Sequence, residues 1–308
     1  MTAARPAGIF GPMPKLRRLS LVLLVPAVLA AQTEARPKVT PNCSSCAEWN
    51  AEQAPVKIFG NAYYVGPRGL GAILITSPTG HILIDGGLME SAAGIVASIR
   101  SLRFLIEDVK FILNSHVHYD HAGGLAELVR MSGATVAASP KSAPVLERGT
   151  VGPDDPQFGS LQPIEPVKKV RVIADGETIR FGNLAVTAHF TPGHTPGGTT
   201  WTWESCEGAR CLGLVYADSQ TPISVEGFRF SNSTSYPEAL ADFARSSSTL
   251  DRLRCDILVT VHPGASSFWE RVDARKAGNP DALIDGEACR QFASRARAQL
   301  AKRVAEEK

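Results

Sequence analysis

Val109-Lys110-Phe111-Ile112-Leu113-Asn114-Ser115-His116-Val117-His118-Tyr119-Asp120-His121-Ala122-Gly123-Gly124 is the stretch from which the rest of the chain is read. Its first five residues form a short apolar run of the kind that makes a buried strand, and the polar residues begin where that run stops. Alternate residues of an extended segment point the same way, so His116 and His118 can share one metal ion. The chain then turns and sends Asp120 and His121 toward a neighbouring position. Gly123 and Gly124 give the backbone room to begin a helix close to that point. Imidazole nitrogen and carboxylate oxygen are ligands that zinc accepts at about 2.0–2.2 Å.

Working outward, short β-like runs at Val56–Phe59, 62–65, 72–76 and His81–Ile84 are separated by turn residues and predict an antiparallel meander. A helix over about 90–103 carries Ile95, Ile99 and Leu102 on one face. After the histidine stretch come a helix at 124–131, a strand at Thr135–Ala138, a helix at 142–147 and a Pro-, Gly- and Asp-rich loop at 150–165. A second run of strands follows at 169–173, Thr178–Phe181, Leu184–Phe190, 199–203 and 212–216. Helix 237–253, strand 257–261 and a helical tail over about 284–307 complete the chain. Strands, helices, strands, helices is a duplicated order. It predicts an α/β fold, a four-layer αββα sandwich, as one domain over 56–308 behind an N-terminal segment at 31–55.

Two further histidines stand at predicted strand ends. His194 lies in Thr191-Pro192-Gly193-His194-Thr195-Pro196-Gly197-Gly198, and His262 follows the run at 257–261 and precedes Pro263-Gly264. Alone, each is an ordinary polar loop residue; beside the first cluster they complete the ligand count of a dinuclear site. His81 and His189 fall within strand-like runs and read as structural.

The chain has 308 residues, Lys+Arg 32 against Asp+Glu 30, a formal charge of +2, and 44% hydrophobic residues. That is ample apolar material for a core. The near-zero balance without a basic run excludes a purely electrostatic nucleic-acid binder. Lys15, Arg17 and Arg18 precede an apolar run at 19–30 that ends in Val28-Leu29-Ala30. This reads as a secretory signal peptide at 1–30 cut after Ala30, with Met13 as an alternative start. The run is short for a membrane span. Its removal leaves 28 basic against 30 acidic residues, a charge of −2.

An oxidising compartment, here the periplasm, makes the cysteines legible. Cys206 and Cys211 flank Glu207-Gly208-Ala209-Arg210 and suit a hairpin disulfide. A Cys255–Cys289 bond would staple the C-terminal helix. Cys43 and Cys46 lack both the βαβ context of a redox motif and the second pair of a zinc knuckle, and read as a local structural disulfide.

His-x-His-x-Asp-His, then Gly-His in a Gly/Pro turn, then Ala217-Asp218, then a late His resembles the metallo-β-lactamase superfamily, and more narrowly its subclass B3, over about residues 56–300. Asp85-Gly86-Gly87, the stretch 192–199, Val215-Tyr216-Ala217-Asp218-Ser219 and the stretch 256–266 support the likeness. The resemblance implies two zinc ions per chain, one on His116, His118 and His194, the other on Asp120, His121 and His262. It makes Asp120 the catalytic residue that orients the nucleophile, and it puts Ser219 and Thr221 near the substrate. Gln157 and Phe158 would line the pocket. The implied reaction is hydrolysis of penicillins, cephalosporins and carbapenems by a zinc-bridging hydroxide. The implied partner is the small-molecule substrate alone, with a monomeric chain, no nucleic acid and no stable membrane association after signal cleavage. One departure stands out: Val65-Gly66-Pro67-Arg68-Gly69 lacks the cysteine that related enzymes can pair with the N-terminal segment, so that cover is expected to be held differently.

The alternative on the same scaffold is a glyoxalase-type thioesterase or lactonase, which resembles this pattern but sets an Asp between the metals, a place Asp218 would take. The Ala-Asp-Ser context and the secretory signal favour the β-lactam reading; fold alone does not decide. A secreted zinc-binding protein without catalysis is the reading from another class, and six intact ligand candidates argue against it.

Overall fold

In the computed structural model, residues 1–5, 7, 8, 11 and 43–307 are described, so most of the expected signal segment lies outside the described residues. The chain separates into Met1–Thr40 and Pro41–Lys308, and the second unit carries every helix and strand among the described residues.

A short helix α1 (Cys46–Trp49) precedes four antiparallel strands, β1 (Val56–Phe59), β2 (Ala62–Tyr64), β3 (Ile73–Ile75) and β4 (His81–Ile84). Gly60 makes the first turn at φ +54°, a conformation that costs a residue without a Cβ little. The chain then crosses over through α2 (Ser91–Ser101) to β5 (Val109–Leu113). It continues through the single turn α3 (Tyr119–Ala122) and α4 (Leu125–Ser132) to β6 (Thr135–Ala138), and through α5 (Ala143–Arg148) to β7 (Arg171–Val172). Strands β4 to β7 run parallel, completing a seven-stranded sheet.

The second half repeats this plan. β8 (Thr178–Phe181), β9 (Leu184–Phe190), β10 (Thr199–Glu207) and β11 (Arg210–Ala217) form an antiparallel meander. Helix α6 (Ala239–Arg252) then leads to β12 (Ile257–Thr260), parallel to β11, and α7 (Phe268–Lys276) and α8 (Ala288–Ala305) follow.

Alternation along the strands sorts the apolar residues into layers. Ile73, Ile75, Ile82 and Ile84 face the second sheet, where they share a core with Trp201, Tyr216 and Val259. Leu74, Leu83 and Ile112 face the other way, onto Ile95 and Ile99 of α2 and Leu125 and Leu128 of α4. Behind the second sheet, Val215 and Leu258 pack against Leu250 of α6 and Phe292 of α8. Each such side chain, fully buried, contributes roughly 1.5–3 kcal/mol. The result is the expected αββα sandwich. Strands covered on both faces read as continuous apolar runs, which is why they stood out in the sequence.

Three elements differ from expectation. The run at 169–173 joins the first sheet, with β7 parallel to β6, instead of opening the second. Strand β10 continues past residue 203 to Glu207, which brings Cys206 opposite Cys211. Helix α7 was not foreseen; its Phe268 is fully buried in the core between the sheets. The three disulfides Cys43–Cys46, Cys206–Cys211 and Cys255–Cys289 form, and no cysteine is free among the described residues. His81 receives a hydrogen bond from the Ser77 amide (3.4 Å), and His189 lies 2.9 Å from the Thr202 hydroxyl; both are strand residues outside the site.

Candidate metal centre and active site

The loops after β4, β5, β9, β11 and β12 carry Asp85, the His116 cluster, His194, Asp218 and His262. The loop after β5 is fastened on both sides. The amide and hydroxyl of Ser115 donate to Asp85 (2.8 and 2.6 Å), and so does the Tyr216 hydroxyl (2.9 Å). Asn114 bridges inward, its side-chain amide donating to the His116 carbonyl (2.6 Å) while its own carbonyl accepts from the Trp201 indole (3.1 Å). Burial raises Asp85 to about 6, against the pull of His121 and of the hydrogen bonds it accepts.

Each histidine of the first set spends one ring nitrogen on an acceptor. His116 Nδ1 meets Asp218 Oδ1 at 2.8 Å, His118 Nε2 meets Asp155 Oδ2 at 3.0 Å, and His194 Nδ1 meets the Thr221 carbonyl at 2.8 Å. Acceptors on those nitrogens place the N–H there and leave a lone pair on the other nitrogen, the tautomer a metal needs. His116 Nε2 is buried with no hydrogen-bond partner, and ligand atoms of the three rings lie within 4.8 Å of one another. Burial, reinforced by the neighbouring histidines, pushes His116 well below its usual range; burial and His118 bring His194 down to about 3. Both are therefore neutral and able to ligate at physiological pH. Burial also lifts Asp218 well above the usual carboxylate range, and a cation on the far side of His116 would favour its ionised form.

The second set is a triangle. Asp120 Oδ2 lies 3.1 Å from His121 Nε2, His121 Nε2 lies 3.2 Å from His262 Nε2, and His262 Nε2 lies 3.3 Å from Asp120 Oδ2. Ligands about 2.0–2.1 Å from a tetrahedral ion stand about 3.3 Å apart, so these three atoms have the spacing of a zinc ligand set. The single turn of α3 presents Asp120 and His121, and the strand end of β12 presents His262. Burial alone would raise Asp120, but His121 and His262 outweigh it and hold the carboxylate well below its usual range. Ligand atoms of His116, Asp120 and His121 also fall within 4.8 Å of one another, so the two sets adjoin. The residues present fit a pair of metal ions.

Above them opens a cavity of about 490 Å³, lined by Gln157, Ser219 and Thr221 among others. The Ser219 and Thr221 hydroxyls lie 2.6 Å apart. Phe158 does not line the cavity. It sits on a turn with 48% of its surface exposed, because its neighbour Gln157 takes the inward position.

Sequence reasoning missed Asp155 and Trp49. Asp155 sits in the loop read as irregular, where an acid beside Pro156 was the available signal. Trp49 closes one side of the cavity, its ring 5.1 Å from that of His262. Without a cysteine at 65–69, backbone and side-chain hydrogen bonds hold this cover. The Gly69 amide donates to the Trp49 carbonyl (3.0 Å), the Arg68 amide to that of Ala51 (2.8 Å), and Ser91 Oγ to Asn50 Oδ1 (2.6 Å). A Cβ on Gly69 would fall 2.6 Å from Trp49 Cα, so only glycine permits that approach.

The family model for the metallo-beta-lactamase superfamily matches residues 66–208. Among solved structures, Rm3 metallo-beta-lactamase is 55% identical with a TM-score of 0.85, covering 87% of this chain and 99% of that one. MEM-A1, a subclass B3 metallo-beta-lactamase isolated from a soil metagenome library, is 52% identical with a TM-score of 0.82, covering 84% and 98%. The N-acyl homoserine lactonase AttM of Agrobacterium fabrum is 26% identical over 156 residues, 40% of this chain and 55% of its own length. The chain thus spans about half of that curated relative. Two converging ligand sets on an αββα sandwich, with identity above one half to full-length members, lead to one conclusion: the chain belongs to the metallo-β-lactamase superfamily and, within it, to subclass B3.

Proposed function

We propose that this protein is a zinc-dependent β-lactamase that opens the amide of penicillins, cephalosporins and carbapenems. The observation that carries the reading is the adjacency of the two ligand sets beneath one cavity, in a chain 52% identical to a subclass B3 metallo-beta-lactamase. His116, His118 and His194 would hold one zinc ion, and Asp120, His121 and His262 the other. Zinc bound there supplies Lewis acidity and ionises a solvent molecule near neutral pH. The chain does the rest. Asp218, Asp155 and the Thr221 carbonyl fix the three imidazoles in their ligating tautomers. Asp120, at the boundary of the two sets, orients the nucleophile. The Ser219 and Thr221 hydroxyls meet the substrate carboxylate, and Gln157, which lines the same cavity, positions the ring.

The lactonase or thioesterase reading needs an aspartate between the metals. Asp218 instead directs Oδ1 at the outer nitrogen of His116, and the 52% identity to a subclass B3 enzyme, against 26% to the lactonase, favours the β-lactamase reading. Hydrolysis of nitrocefin, a penicillin and a carbapenem, beside a glutathione thioester and an N-acyl homoserine lactone, tests the choice with and without EDTA. Chelator-sensitive turnover of the β-lactams is expected. Faster turnover of the thioester or lactone would overturn it.

The same reading includes export to the periplasm as a monomer, with protection against β-lactam antibiotics as its consequence. The signal pattern at 1–30 and the three disulfides support export. No helix among the described residues is long and apolar enough to cross a membrane. Fractionation and mass spectrometry should find a periplasmic chain beginning at Ala31.

A further inference from the structure

One wall of the cavity is a face of α8. Phe292, Arg295, Ala296 and Gln299 line it at the i, i+3, i+4, i+7 spacing of a single helical face. The Cys255–Cys289 bond and the packing of Phe292 and Ala293 behind the second sheet anchor that helix. Arg295 is exposed at the rim, and its Nη2 donates to the Ala265 carbonyl (3.0 Å), in the turn that directly follows His262. Among the described residues that line the cavity, it is the one Lys or Arg. A guanidinium carries five N–H donors in a planar fork that matches a carboxylate in two-point contact. The bond to Ala265 orients the fork and leaves its other donors for an anion. The hydroxyls of Ser219 and Thr221 stand deeper, beside Asp218, where the carboxylate next to the lactam nitrogen is assigned.

We propose that Arg295 forms an outer anion subsite that takes a carboxylate or sulfonate on the β-lactam substituent projecting away from the histidines, and so sets a preference for doubly over singly anionic substrates. The proposal rests on the β-lactamase reading. An exposed ion pair of this kind is worth about fivefold in affinity at low salt, and screening removes most of that at high salt.

The test compares kcat/KM for two cephalosporins that share a ring system and differ by one side-chain carboxylate, at about 20 mM and about 0.5 M NaCl. In the zinc-loaded enzyme, Arg295→Ala should lower the ratio of doubly to singly anionic substrate about fivefold at low salt. The change should lie in KM, and Arg295→Lys should keep part of the preference. Salt should erase the wild-type preference. Arg295→Gln retains a donor for Ala265 and reports the same ratio if the alanine variant does not fold. An unchanged ratio, or equal losses on both substrates, would overturn the subsite while leaving the lactamase reading intact. Failure of the wild type to open either cephalosporin overturns that underlying reading instead, and the subsite with it.

Discussion

Asp218 and His116 meet at 2.8 Å with both side chains shut off from solvent, the carboxylate just beyond β11 of the second sheet and the imidazole just beyond β5 of the first. Contact across the sandwich therefore decides which nitrogen of His116 faces the cavity. Asp218→Ala would free that ring and strand a buried N–H, at a cost of about 1–3 kcal/mol in stability. It should lower zinc affinity or turnover about 10–100-fold. Zinc content under chelator competition, with kcat on nitrocefin, checks this; unchanged zinc retention would remove Asp218 from the positioning role.

Asp120 is the one acid of the second triangle, 3.1 and 3.3 Å from the two imidazoles. Asp120→Asn should drop zinc from about two to about one ion per chain and cost more turnover than the roughly 100-fold of an outer partner. Metal analysis after gel filtration and a steady-state assay read the two effects. Near-wild-type rates at full zinc loading would contradict the assigned role.

Metal-stripped protein should lose stability on the acid side of neutrality. Burial and His118 lower His194 from 6.5 to about 3, so between those values the unfolded chain binds the proton and the folded one does not. Stability then rises with pH across that window, by up to about 1.4 kcal/mol per unit for one group. Asp85 works in the opposite sense. Burial raises it from 3.8 to about 6, so its contribution declines as pH climbs between those values. Thermal melts of the chelated protein between pH 4.5 and 7 should slope less steeply in His194→Gln than in the wild type; equal slopes would show that His194 is not held neutral.

The Cys255–Cys289 bond spans 34 residues and ties α8 to the start of β12. Chain-entropy reasoning assigns such a loop about 4 kcal/mol, against about 2 kcal/mol for the Cys206–Cys211 hairpin, whose separation is 5. Urea denaturation of Cys255→Ser/Cys289→Ser and Cys206→Ser/Cys211→Ser double variants should rank them in that order. A reversed order would mean that α8 is held by its packing alone.

The histidine cluster was legible because its signals are local. Period-two alternation, ligand-type side chains and a strand end all lie within the span from Val109 to Gly124, and the same logic exposed the strands covered on both faces. Cysteine spacing likewise marked the three disulfides. Helix α7 escaped because nine residues rich in charge, around Phe268 and Val272, carry too short an apolar rhythm to be seen.

Partner choice between distant segments had no such signal. Asp155 reaches His118 across 37 positions, Trp49 stands against His262 across the whole domain, and β7 belongs to the first sheet although it follows a long loop. Phe158 and Gln157 are adjacent, yet only one faces the cavity. Spacing and patterning were enough to point to a metal-binding cluster and to the layered fold, and the motif's resemblance added the reaction. Which acid orients which ring, and that Arg295 of α8 borders the cavity, came from packing two sheets face to face, since contacts between segments far apart in sequence exist only once the layers have closed.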